Sequence, residues 1–197
     1  MGRFVVLLVV VAGLAGGGAW LATQPAADVQ PIQPSSAAVI AAEARIFASF
    51  KAAEVKAVLT RAPQTVQVRL SDVELTSLVA SRLAQSSTTL HDPVLRGGTD
   101  DAFHATTDVD WNGVTFHIGA AITVTFDSAG TIAVHVRDAS VGRLPVPGSI
   151  GDALVAQSQS ASTVQLPPGI SDVALQPVDG GAVLTATASP SLAGLAG

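Results

Sequence analysis

Between Val114 and Phe126 an apolar residue stands at every second position: Val114, Phe116, Ile118, Ala120, Ile122, Val124 and Phe126. Thr115, His117, Thr123 and Thr125 fall between them. Side chains alternate across a strand with a period of two, so this run predicts a long strand with one apolar and one polar face. Phe103, Ala105, Val109 and Trp111 before it, and Ile132, Val134 and Val136 after it, predict two partner strands. Asn112-Gly113 is the favoured two-residue hairpin loop, because both positions need positive φ. That loop pairs Trp111 with Val114, Val109 with Phe116 and Phe103 with Ile122. A three-residue loop at Ser128-Ala129-Gly130 pairs Phe126 with Ile132 and Val124 with Val134. A one-residue slip at either turn would set apolar against polar positions.

Elsewhere the period changes. From Ala37 to Arg61 the chain is Ala-rich and free of Gly and Pro, with Val39, Ile46, Phe47, Phe50, Val58 and Leu59 as its bulky apolar residues. Glu43, Arg45, Lys51, Glu54 and Lys56 fall largely on other faces, which predicts an amphipathic helix closed by Pro63. Thr65 to Leu70 alternates as a short strand. Ser71-Asp72-Val73-Glu74 then carries a capping box, in which the Ser oxygen and the Glu side chain satisfy each other's backbone amides. It opens a helix over 72–85 with Leu75, Leu78, Val79 and Leu83 as the buried stripe. Residues 88–101 read as a strand broken at Gly97-Gly98, residues 143–148 as an extended exit, and residues 149–159 as a short helix. A final hairpin turns at Asp179-Gly180, with Leu175 facing Leu184 and Val173 facing Ala186. The expected fold is α+β: one domain over 37–188, a highly curved antiparallel sheet wrapped on one or two amphipathic helices.

The N-terminus adds a location. Phe4 to Ala22 is nineteen residues without a charge, preceded by Arg3. About 20 apolar residues cross a bilayer, so residues 1–22 read as a transmembrane signal anchor. The alternative is a cleaved signal peptide with an apolar core from Phe4 to Leu14 and small residues at Gly17 and Ala19. Either reading sends the domain out of the cytoplasm, and a retained anchor makes it a single-pass protein of the cell membrane with its N-terminus inside. Residues 23–36 form a Pro-rich linker, and residues 189–197 read as a disordered tail.

Charge and chemistry narrow the function. The 197-residue chain has a net charge of −5 with ten Lys and Arg, which argues against nucleic acid. It has no Cys, hence no disulfide and no thiolate chemistry. In the expected register His117 lies opposite Asp108, His135 opposite Thr123 and His104 opposite Ala121. His104 and His135 are then two strands apart, roughly 10 Å, too far to share a metal. The sequence reading therefore assigns no metal and no cofactor, and treats His117–Asp108 as a cross-strand polar contact. No calcium loop, nucleophile elbow or phosphate-binding Gly loop is present, so no catalytic residues are assigned.

The order of parts, with LSDVELTSLVASRL followed by the meander and the SVGRLPVPG exit, resembles the YpmS-like family of bacterial membrane-anchored envelope proteins. More distantly it resembles the LmeA-like and other tubular lipid-binding (TULIP-like) domains. The resemblance covers roughly residues 65–188. It implies a curved sheet around helices, an apolar groove suited to acyl chains, and no catalytic residues. The expected partner is a lipid or other amphiphile, with the groove lined by Phe103, Trp111, Phe116, Ile118, Ile122, Val124, Val134 and Val136, and by Leu78 and Val79 from the second helix. The alternative is an interaction module for an envelope protein partner, with no small-molecule ligand.

Overall fold

The computed structural model describes residues 31–85, 90–126, 132–146 and 169–190. The apolar segment 4–22, most of the linker, the turn at 128–130, the helix expected over 149–159 and most of the tail lie outside the described residues. In chain order the elements are α1 (Ser36–Thr60), β1 (Gln64–Ser71), α2 (Asp72–Ala84), β2 (Leu90–Gly97), β3 (Phe103–Trp111), β4 (Val114–Phe126), β5 (Ile132–Val141), β6 (Leu144–Val146), β7 (Ile170–Val178) and β8 (Gly181–Ala188). The fold is α+β, as the sequence predicts. Among the described residues no helix is long and apolar enough to cross a membrane.

The strands form two antiparallel sheets where the sequence led us to expect one. A five-stranded sheet runs β2-β3-β4-β5-β6, and a three-stranded sheet runs β1-β8-β7. The division follows from side-chain fit: Val66, Val68 and Leu70 of β1 stand opposite Ala186, Leu184 and Ala182 of β8. The final hairpin thereby continues β1 and leaves the meander alone. Within the meander the expected register holds: Phe103 pairs with Ile122, Val109 with Phe116, Trp111 with Val114, Val124 with Val134 and Phe126 with Ile132. Asn112 and Gly113 both take positive φ, at 50° and 79°. The extended exit folds back through Gly142-Arg143 to make β6, with Leu144 opposite Val141. In the last hairpin Leu175 faces Leu184 as expected. A bulge between Ser171 and Ala174 replaces the expected Val173–Ala186 pair.

One core joins both sheets and both helices. Val66, Val68, Leu70, Ala182, Ala186 and Ala188 meet Ala42 of α1, Leu75 of α2 and the fully buried Phe103 of β3. Alanines at the contact let α1 lie close on β1 and β8. The capping box of α2 forms as predicted: the Glu74 amide donates to Ser71 Oγ at 3.3 Å, and the Ser71 amide donates to Glu74 Oε2 at 2.9 Å.

α1 departs from the amphipathic expectation. Ile46 and Phe50 pack on the core, yet Ile40, Phe47 and Leu59 are 67 %, 65 % and 78 % exposed, while Glu54 is buried. The helix is apolar on both sides.

Gly97 closes the junction between the two sheets. A Cβ there would sit 1.7 Å from the Gly181 carbonyl oxygen, so only glycine lets the end of β2 meet the β7–β8 turn.

Candidate functional site

An apolar cavity of about 460 Å³ lies between α1 and the three-stranded sheet. Its helical wall is Ile46, Phe47 and Phe50. Ile170 and Val173 of β7, Leu184 of β8 and Phe126 at the end of β4 complete the apolar lining. These side chains converge because Ile46 and Phe50 are one helical turn apart, and because even-numbered β4 residues share a face that ends at Phe126. Charge is confined to Glu43, Lys51 and Glu54, all on α1. Lys51 Nζ lies 3.2 Å from Glu54 Oε2 and 5.9 Å from the centre of the Phe47 ring. The site thus offers an apolar interior to a chain and one cation with two carboxylates to a polar group.

The groove residues named from the sequence lie on a neighbouring part of the core. Phe103 and Phe116 are buried, and Leu78, Ile122 and Val124 are half-buried against the common core. Ile118, Val134, Val136 and Val79 are half-buried. The backbone of Trp111 pairs with Val114, and its side chain lies outside the described ones. None of the ten lines the cavity; the apolar face they share runs on to Phe126, which does. Sequence reasoning missed Ile170, because the strand was expected to begin at Val173, and it named Val173 and Leu184 only as hairpin positions. It also missed Phe47 and Phe50 as wall residues, though both stood out as bulky apolar positions.

A second constellation occupies the polar face of the meander. His91 of β2, Asp108 of β3 and His117 of β4 form one rung across three strands. His117 Nδ1 donates to Asp108 Oδ1 at 2.6 Å, the pair predicted from register. His91 is new, because the strand pairing that brings it to Asp108 crosses a bulge between His91 and Val94. His91 Nδ1 lies 3.2 Å from Asp92 Oδ2, and its Nε2 lies 3.1 Å from Asp110 Oδ2. The hydrogen bond to Asp92 holds the imidazole pKa above its ordinary value against the opposing effect of burial, and the charges of Asp110, Asp92 and Asp108 add to it. The Thr115 hydroxyl, donating at 2.6 Å, leads in holding Asp110 below the usual carboxylate range; burial opposes it and the neighbouring His91 helps. His104 makes a separate pair with Asp100 at 3.1 Å. His135 pairs across to Thr123 as expected.

Comparison with known protein families, with curated proteins and with solved structures finds no match for this chain.

Proposed function

We propose that this chain is a noncatalytic, membrane-tethered domain that binds a lipid or other amphiphile outside the cytoplasm, in the cell envelope. The observation that carries the reading is the apolar cavity between α1 and the three-stranded sheet. At about 460 Å³ it falls in the range of pockets for small ligands, roughly 300–1,000 Å³. Seven apolar side chains form its interior, and the charged groups stand on one helix, which is the division of labour an acyl chain with a polar head requires. Each methylene buried there is worth about 0.8 kcal/mol before ordering costs, so even part of an acyl chain would be retained. The resemblance to YpmS-like and TULIP-like domains and the uncharged segment 4–22 point the same way.

The test is photo-crosslinking of the full chain in vesicles containing a phospholipid with a diazirine in its acyl chain. Label is expected on peptides carrying Phe50, Val173 or Leu184. Label confined to residues outside the cavity would overturn the assignment. One observation favours a second reading, an interaction module for an envelope protein: Ile40 and Phe47, seven residues apart on one side of α1, are both exposed. On that reading the lipid diazirine leaves the cavity unlabelled, and a protein-to-protein crosslinker joins α1 to a partner.

A further inference from the structure

The polar rung of the meander and the bulge beside it bring metal-ligating side chains together in a way the sequence alone did not show. One ligand atom each from His91, Asp92 and Asp108 lies within 4.8 Å of the others. Donors sharing one ion at about 2 Å stand roughly 3–4 Å apart, so a small side-chain rotation suffices. Asp92 is free to make it: its side chain is 85 % exposed and stands on the bulge that interrupts β2.

Three further observations bear on the ligand. The ion-pair partners of Asp92, Asp108 and Asp110 among the described residues are His91 and His117, so three carboxylates stand around these imidazoles without a lysine or arginine pairing any of them. His91 Nε2 is turned away from water and paired with Asp110 at 3.1 Å. Whichever ring nitrogen faces an ion, the other has a carboxylate behind it, the arrangement that orients metal-bound imidazoles. His117, donating to Asp108 at 2.6 Å, orients that carboxylate in the same way.

We propose that His91, Asp92 and Asp108 bind a divalent transition-metal ion of the zinc class, with His117 and Asp110 as positioning residues. The donor set selects among cations. Imidazole with carboxylates suits zinc and its neighbours, whereas calcium takes six to eight oxygens and magnesium keeps its waters. Such an ion would tie β2 to β3 beside the irregular register at the bulge.

The experiment is equilibrium dialysis of the full chain, in a non-ionic detergent, against zinc chloride. X-ray absorption at the zinc edge reads the ligands, and circular dichroism checks the fold. One zinc per chain is expected, with imidazole and oxygen neighbours. His91→Gln and Asp108→Asn should abolish binding, and His117→Gln should weaken it roughly tenfold or more by releasing Asp108. Asp92→Asn, at an exposed position, tests the site without touching the core. His135→Gln, on β5, should change nothing. Zinc binding that survives His91→Gln and Asp108→Asn would overturn the proposal. So would the absence of bound zinc, or displacement of zinc by an equal concentration of calcium.

Discussion

Glu74 shows how much one side chain can hold together. It closes the capping box on Ser71, accepting from that residue's amide at 2.9 Å and hydroxyl at 3.0 Å, and it receives the guanidinium of Arg45 from α1. Burial pushes its pKa up, but the Ser71 hydrogen bonds and Arg45 outweigh that and leave it below the ordinary 4.5. The unfolded chain therefore binds this proton more readily than the folded one. The stabilisation is complete above pH 4.5 and is lost as pH falls through the lower folded value. Glu74→Gln keeps the shape of the box and removes only the charge. We expect the variant to be less stable than wild type by about 1 kcal/mol at pH 7 and low salt, and the gap to close below pH 4.5. Urea midpoints at the two pH values measure it; a gap unchanged between them would show that the charge contributes nothing.

At the scale of elements, α2 seals an open edge. β2 ends the five-stranded sheet, and its outward backbone groups would otherwise invite another strand. Thr76, fully buried, donates to the Leu95 carbonyl at 3.1 Å and accepts from the Leu95 amide at 2.9 Å. Asp72 accepts from the Gly97 amide at 2.9 Å. Four helical residues rise about 6 Å and two strand residues about 6.6 Å, so one helical turn matches one repeat of the edge. Thr76→Val keeps the shape and strands both Leu95 groups. It should cost about 1–3 kcal/mol in the urea midpoint and accelerate hydrogen exchange at the Leu95 amide, while Thr76→Ser stays close to wild type. An unchanged exchange rate would remove Thr76 from this role.

The same elements show what a sequence can and cannot disclose. The meander register was legible because one apolar face leaves a single acceptable pairing. Even the β5 bulge left a trace: apolar positions run 132, 134, 136 and then change parity to 139 and 141, and the pairing shifts at that point, from Val136 with Ile122 to Asp138 with Ala121. Thr76 and Ser77 were not legible as core, since a buried hydroxyl declares itself only through its partner. For Thr76 that partner is Leu95, nineteen residues away; for Ser77 it includes the amide of Ser35. The cavity was illegible for a related reason. Periodicity reports which face of an element is apolar, but not how far two such faces stand apart. Nor could it show that β8 would pair with β1, which is what sets Leu184 and Val173 against α1.

For the whole molecule the central contrast is between close and loose packing of one helix. Ala42, in the core with β1 and β8, and Ala57 further along α1 are both fully buried. Between those alanines Ile46, Phe47 and Phe50 bound about 460 Å³ of space against β7 and β8. The cleft opens to solvent beside Phe47, and apolar walls left facing water forfeit the burial that close packing would give, so a volume kept for a ligand carries a standing cost in stability. Val173→Phe should fill part of it from the β7 side. If the cavity is the binding site, the variant gains about 0.5–2 kcal/mol in the unliganded chain and loses most acyl-chain photolabelling. A stabilised variant that still takes the label at Phe50 would separate the cavity from lipid binding. The exposed face of α1 would then become the surface to pursue, because Phe47 borders both.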